Sequence, residues 1–168
     1  MKNNITILCL SNIYSKKICQ KFADSLDMFF VDVNDILEYN LVNSDMLQSA
    51  GKSYFDKQER KTIMGLSQYE NALFRANIEL LTKADNIKVF KENSVVLYVK
   101  LPVKILEKFE LEAETKQVVH PLYAFDEEDK FCKQNCDCVI EITDDDAKNV
   151  EIMKGALVKY YADIEKGN

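Results

Sequence analysis

The chain begins with an apolar run that is followed by apolar residues at helical spacing. Residues 5–10 are rich in β-branched and other apolar side chains, which is typical of a strand buried on both faces of a sheet. Ile18, Cys19, Phe22 and Leu26 then recur at intervals that place them on one side of a helix. This pattern predicts a strand, a loop and a helix.

Similar alternation continues along the rest of the chain. Residues 28–33 and 94–100 are further apolar runs that predict buried strands, and residues 138–142 form the last predicted strand. Residues 72–76 leave two interpretations open, a third strand or the continuation of a helix. The chain therefore has four clear strand candidates, counting the first one, and one ambiguous segment.

The segments between the strands have helical or loop character. Residues 55–70 and 103–114 are predicted to be helical, and residues 49–53 are predicted to form a loop. Thr143 and the aspartates at 144–146 supply caps and first-turn carboxylates for a final helix, which should end near Gly167.

Strands that alternate with helices predict a three-layer α/β/α fold around a central, mostly parallel, five-stranded sheet. With 168 residues, 47% of them apolar, the chain is expected to form a single domain over residues 1–168. Ligands of such folds bind outside the carboxyl ends of the strands, so residues 11–17 and 32–35 are where chemistry is expected.

Net charge and composition argue against nucleic acids and membranes as partners of this chain. The formal net charge of −6 and the lack of a dense basic stripe argue against nucleic acid as a partner. No apolar run is long enough for a signal peptide or a membrane span, so we expect a cytoplasmic protein without a membrane partner. Arg60 and Arg75 are the only arginines, which leaves few guanidinium groups for phosphate or carboxylate binding.

From residue 5 to residue 38 the chain resembles the opening of the shikimate kinases, with a strand, a phosphate loop, a helix and then the sequence MFFVDVNDILE close to the family's Asp-x-Asp segment. The likeness continues in the right order through Gly51, Phe55 and Glu59, strand 95–99, His120-Pro121-Leu122, and Thr143-Asp144-Asp145 with Ala147 and Val150. It implies a P-loop kinase fold with a lid-like segment at about 108–120. An active member would transfer the γ-phosphate of ATP to a hydroxyl with the help of Mg²⁺.

The phosphate loop departs from the family motif. A phosphate loop needs Gly-x-x-x-x-Gly-Lys-Ser/Thr so that backbone amides can wrap the phosphates, a lysine can bridge them and a hydroxyl can hold Mg²⁺. On the closest alignment Cys9 and Tyr14 fill the glycine positions, Ser15 replaces the lysine and Lys16 replaces the hydroxyl. A slip of one residue would instead bring Lys16 near the lysine position. Ser15, Lys16 and Lys17 are therefore a weak remnant as candidate phosphate-binding residues.

On the substrate side, the resemblance makes Asp32 and Asn34 the catalytic candidates, since they stand at the two carboxylates of Asp-x-Asp. Asn34 has an amide in place of a carboxylate and cannot act as a base. Asp32, Glu59 and His120 are the candidate substrate-binding residues. Acidic side chains fill further positions where the resemblance implies arginine or glycine, namely Asp56, Glu79 and Glu128.

The cysteines raise the question of a metal site. His120, Cys132, Cys136 and Cys138 are residue types that bind zinc, but their spacing lacks the paired Cys-x2-Cys pattern of a structural zinc site. We therefore expect no metal, with Cys138 packed in the last strand and the other two thiols near the surface.

The sequence as a whole favours a pseudoenzyme with the shikimate kinase fold that acts in interaction or regulation. The alternatives are a divergent shikimate kinase or other small-molecule kinase, and a binder of small ligands without catalysis. No cofactor is expected, and ATP with Mg²⁺ would be needed only if kinase activity is retained. The partner, a protein or a small molecule, is not identified by the sequence.

Overall fold

In the computed structural model, which describes residues 2–66, 68–83, 86–107 and 122–167, five strands form one sheet. The strands are Asn4–Leu8 (β1), Phe29–Asp32 (β2), Ala72–Arg75 (β3), Ser94–Lys100 (β4) and Cys138–Glu141 (β5). Their order is β2-β3-β1-β4-β5, and every neighbouring pair is parallel. The expected parallel five-stranded sheet is confirmed, and the ambiguous segment at 72–76 is the third strand.

The helices alternate with the strands. Their bounds are Asn12–Ser25 (α1), Val33–Tyr39 (α2), Ser44–Ala50 (α3), Lys52–Leu66 (α4), Ile78–Thr82 (α5), Asn86–Asn93 (α6), Leu122–Asn135 (α7) and Asp146–Gly167 (α8). Residues 103–107 are also helical, while the rest of the helix predicted at 103–114 lies outside the described residues. None of the helices described is both long enough and apolar enough to cross a membrane.

The sheet separates two apolar layers. Side chains of successive strand residues point to opposite faces, so Ile7 and Leu97 join one cluster while Leu8 and Tyr98 join the other. The first cluster packs against α1 and α8, and the second packs against α2, α4 and α6. These two layers confirm the three-layer α/β/α architecture, and they explain why β1 is buried along its whole length.

Two sequence-based predictions about local structure are wrong. Residues 49–53 are not a loop, because α3 runs to Ala50 and α4 begins at Lys52. Gly51 alone joins the two helices, with a φ of +82° that favours glycine. Cys132 is not near the surface, because α7 turns that side chain into the layer beneath Tyr98, where it is fully buried.

Candidate functional site

The connection between β1 and α1 is short, and its side chains are either buried or hydrogen-bonded to the start of α1. Residues 9–11 separate the two elements, and α1 begins at Asn12. Ser11 is the N-cap of the helix, and its Oγ accepts a hydrogen bond from the amide of Tyr14 at 3.2 Å. The side chains of Cys9 and Tyr14 are both buried. A phosphate loop presents several consecutive amides to its ligand. Here the amides of Tyr14 and Ser15 are both bonded to Ser11.

The three candidate phosphate-binding residues lie within α1, because residues 12–17 are helical. Ser15, Lys16 and Lys17 lie in the first turns of α1. Successive residues of a helix point about 100° apart, so these three side chains leave the helix in different directions.

Arg75, the last residue of β3, occupies the space beside the start of α1. Its side chain is buried, and its Nε donates to the Oγ of Ser15 at 3.0 Å. Its Nη2 donates to the backbone oxygen of Asn12 at 2.9 Å and to the side-chain oxygen of Asn12 at 3.2 Å. Its Nη1 lies 3.1 Å from Oδ2 of Asp32. The guanidinium is thus satisfied by the protein on all three of its nitrogens.

Asp32 is the buried partner of this arginine. In the β2–β3 pairing, Asp32 and Arg75 are opposite residues at the ends of neighbouring strands. The carboxylate of Asp32 also caps α2, since its Oδ1 accepts from the amides of Asn34 at 3.0 Å and Asp35 at 3.4 Å. Both oxygens of this carboxylate therefore already have partners within the protein.

Lys16 of α1 is also close to Asp32 and pairs with the neighbouring Asp35. Its Nζ donates to both carboxylate oxygens of Asp35, at 2.7 and 2.9 Å, and lies 3.6 Å from Oδ2 of Asp32. The hydrogen bond to Asp35 raises the pKa of Lys16, so this side chain stays an ammonium ion. We call Ser15, Lys16, Asp32, Asp35 and Arg75 the Arg75 cluster.

Lys17 points away from the cluster. Its Nζ lies 2.7 Å from Oδ2 of Asp146, and Lys21 donates to the same oxygen at 2.8 Å. These two hydrogen bonds hold the pKa of Asp146 below its ordinary value. Lys17 therefore fixes α1 to the start of α8, where Asp145 caps the helix as the sequence predicted.

Asn34 has a structural contact. Its Oδ1 accepts a hydrogen bond from the amide of Asn77 at 2.8 Å, which ties the start of α2 to the segment after β3. That segment leads directly into α5, so Ile78 and Glu79 are helical and do not belong to a loop.

The remaining candidate residues are not brought into the Arg75 cluster. Glu59 is buried in α4, and its Oε2 accepts from Nζ of Lys83 at 2.6 Å. His120 and the lid-like segment at 108–120 lie outside the described residues. The structure thus places Ser15, Lys16 and Asp32 together and Glu59 in a separate ion pair.

The Arg75 cluster holds two cations and two anions that neutralise each other. Its geometry stabilises the ends of β2 and β3 and the start of α1, and each group in it already has a partner. Sequence reasoning missed Arg75 as a site residue. The signal was present, because a charged residue that ends an apolar strand lies at the same edge of the sheet as Asp32.

Metal chemistry finds no support among the described residues, where no group of three or more His, Cys, Asp or Glu side chains could hold an ion. The cysteines are all free thiols. Burial raises the pKa of Cys9 to about 12, and it also raises the pKa of Cys19 and of Cys132. Cys136 and Cys138 are only partly buried.

This difference predicts which thiols react in the folded protein. With a thiol reagent such as DTNB at pH 8, we expect Cys136 and Cys138 to be modified slowly, and the other three cysteines only after unfolding, because thiolate and access are both required. Absorbance at the reagent's product band counts the reacted thiols. The double variant Cys136→Ser, Cys138→Ser should lose all labelling in the folded state, and rapid labelling that remained in it would contradict the prediction.

The fold and the site can now be compared with known proteins. A family model described as shikimate kinase matches residues 16–148, which is most of the chain. No curated protein matches the chain by sequence.

Several solved structures are similar in fold. The chain superimposes on the shikimate kinase from Acinetobacter baumannii in complex with shikimate with a TM-score of 0.74, at 17% identity and 94% coverage of both chains. The enzyme from Aquifex aeolicus gives 0.71 at 15% identity, covering 95% of this chain and 98% of that chain. The enzyme from Bacteroides thetaiotaomicron gives 0.69 at 13% identity, with coverages of 92% and 97%. At these identities the similarity shows the fold alone.

Proposed function

Because the chain belongs to the shikimate kinase family, we propose that it is a catalytically inactive member that acts through interaction or regulation. The observation that carries this proposal is the buried guanidinium of Arg75, which is hydrogen-bonded to Asn12 and Ser15 at the start of α1. In an active P-loop kinase this region must receive phosphates. Here it is filled by the side chain of Arg75, whose guanidinium is already paired with the carboxylate of Asp32.

ATP and Mg²⁺ do not fit the residues present. The Oγ of Ser15 donates to the backbone oxygen of Asn12 at 3.0 Å and accepts from Arg75, so a metal ion at this oxygen would lie beside the positively charged guanidinium. Nζ of Lys16 is paired with the carboxylate of Asp35, so it would have to leave that carboxylate to bridge phosphates. The two glycines that let backbone amides approach phosphates are replaced by the buried side chains of Cys9 and Tyr14.

The acceptor side supports the same conclusion. Asp32 is committed to Arg75 and to the cap of α2, and Asn34 cannot take up a proton. Loss of one electrostatic group in an active site commonly lowers the rate by about 100-fold or more. When the phosphate loop and the base are lost together, no route to phosphoryl transfer remains.

The two alternative functions differ from this proposal in what they bind. A divergent kinase would bind Mg-ATP and a hydroxyl compound, and a non-catalytic binder would be stabilised by a small ligand without turning it over. Binding measurements therefore separate all three.

The test is calorimetric titration of the purified protein with Mg-ATP and, separately, with shikimate. We expect no saturable heat from either compound at concentrations up to about 5 mM, because the side chains of the site already have partners within the protein. A Kd weaker than about 1 mM would correspond to less than about 4 kcal/mol of binding free energy. A catalytically active shikimate kinase titrated in the same buffers serves as the positive control.

A saturable heat from Mg-ATP that disappears in the Lys16→Ala variant would overturn the proposal in favour of a divergent kinase. Turnover of ATP that depends on shikimate would do the same. Saturable heat from shikimate alone would favour the non-catalytic binder.

A further inference from the structure

Strand β2 lies at the edge of the sheet and pairs only with β3 among the described strands. The backbone groups on its other side therefore make no ladder hydrogen bonds to a strand. Edge strands are commonly protected by short length, lysine, proline or a bulge; β2 is short, with four residues, but its sequence Phe-Phe-Val-Asp contains neither lysine nor proline. The side chain of Phe29 is 70% exposed on this edge.

A groove runs along this free edge. It has a volume of about 580 Å³ and is lined by all four residues of β2 together with Asp35, Ile36, Tyr69 and Glu70. Tyr69 is itself 46% exposed, so aromatic surface lies at the end of the groove that begins with Phe29. We call this feature the β2 groove. A groove that contains a complete edge strand has the shape needed to receive another strand.

The edge is held in place at both of its ends. At its start, the amide of Phe29 donates to the backbone oxygen of Asn71 at 2.9 Å, and Nδ2 of Asn71 donates to the backbone oxygen of Asp27 at 2.9 Å. At its other end, Asp32 is fixed by the buried ion pair with Arg75. A strand that is already ordered needs little further ordering when a ligand binds, which favours affinity.

Charge indicates what kind of segment fits. The ionisable residues of the lining are Asp32, Asp35, Glu70 and the phenol of Tyr69, and the lining contains no lysine or arginine. Asp32 and Asp35 are paired with Arg75 and Lys16, whereas Glu70 is exposed and has no ion pair in the described part of the chain. A second copy of this acidic chain would bring the same carboxylates to the groove, so a basic partner is favoured.

We propose that the β2 groove binds an extended segment of a partner protein, which adds to β2 as a sixth strand. Backbone hydrogen bonds to the free edge supply the pairing, alternate apolar side chains of the segment contact Phe29 and Tyr69, and a lysine or arginine lies opposite Glu70. The β2 groove shares Asp32 and Asp35 with the Arg75 cluster. The proposed pairing uses the backbone of β2, so the inference holds whether or not the chain transfers phosphate.

The test starts from a phage library of random linear nonapeptides selected on the full-length protein. We expect the enriched peptides to alternate apolar residues and to carry lysine or arginine. One enriched peptide is then synthesised with a fluorophore, and its Kd is measured by anisotropy. We expect Phe29→Lys to weaken binding by about tenfold or more and Glu70→Lys by about fivefold, since the first blocks the edge and the second reverses the rim charge.

Two controls keep the test specific. Val139→Lys places the same charge on the other edge strand, β5, at a side chain that is 48% exposed, and it should leave the Kd unchanged. A copy of the peptide with alternate backbone nitrogens methylated should not bind, because it cannot pair with β2. Melting temperatures of all variants show that each is folded.

Several outcomes would overturn the inference. These are no enrichment of any peptide, enrichment of acidic peptides, a Kd unaffected by Phe29→Lys and Glu70→Lys, or full binding by the methylated peptide. Sedimentation that shows a dimer of the wild type, lost in Phe29→Lys, would assign the groove to a second copy of the chain instead.

Discussion

Replacing Arg75 with methionine is expected to destabilise the protein by about 3–5 kcal/mol, because it leaves the buried carboxylate of Asp32 without its guanidinium. For a chain of this size each kcal/mol corresponds to about 2–4 °C, so the melting temperature should fall by about 6–20 °C. Urea unfolding followed by circular dichroism gives the free energy of unfolding directly.

Arg60, the other arginine, offers a matched control. It is only partly buried, and its Nη1 is a buried atom that has no hydrogen-bond partner among the described residues. The variant Arg60→Met should change stability by less than about 1 kcal/mol.

A double-mutant cycle separates the ion pair from general packing. The Asp32→Asn variant keeps a side chain that can cap α2 and removes the charge. Combined with Arg75→Met, it should be less destabilising than the sum of the single changes by more than about 1 kcal/mol. Additive effects, or a loss below 1 kcal/mol in Arg75→Met alone, would show that the pair does not stabilise the sheet edge.

Replacing Asn149 with alanine is expected to cost about 3 kcal/mol. Asn149 is fully buried, its Oδ1 accepts from the amide of Thr143 at 2.7 Å, and its Nδ2 donates to the backbone oxygen of Thr143 and the hydroxyl of Tyr14, both at 2.8 Å. Alanine leaves these groups without that partner, and each buried polar group left unsatisfied costs about 1–3 kcal/mol. Thermal and urea unfolding measure the loss.

Asn135 provides the comparison for this second variant. Its side chain is partly exposed and makes a single hydrogen bond, from Nδ2 to the backbone oxygen of Phe131 at 2.9 Å. Asn135→Ala should cost less than about 1 kcal/mol, because water replaces the lost bond. Equal losses in the two variants would mean that Asn149 does not join α8 to α1 in the way its contacts indicate.

The strands were the most predictable part of this fold. β4 was predicted with its observed bounds because it is a run of apolar residues that is buried on both faces. β3 stayed ambiguous because a strand of four residues that ends in a charged residue is too short to show whether its apolar residues follow helical or strand spacing. The start of α1 was not predicted, because the apolar spacing begins only at Ile18 and Ser11 is revealed as the cap by the structure.

The sequence could place Arg75 and Asp32 at the same edge of the sheet, but it could not predict the contacts within the Arg75 cluster. Its members come from α1, β2, α2 and β3, and they meet only because β2 and β3 pair with Asp32 opposite Arg75. That register is a property of the assembled sheet, and residue spacing along the chain does not reveal it. The candidates Ser15, Lys16 and Asp32 were named as ligand-binding residues, and the structure gives each of them a partner within the protein.

The Arg75 ion pair also restricts the mutational paths that lead back to an open phosphate loop. Glycines at positions 9 and 14 would leave Arg75 hydrogen-bonded to Asn12 and Ser15, so the region would stay filled. Loss of Arg75 first would remove several kcal/mol from a protein whose total stability is expected to be about 5–15 kcal/mol. A viable path has to change Asp32 and Arg75 together, or to acquire stabilising substitutions elsewhere beforehand, so under the proposed function the order of substitutions decides whether a nucleotide site can form.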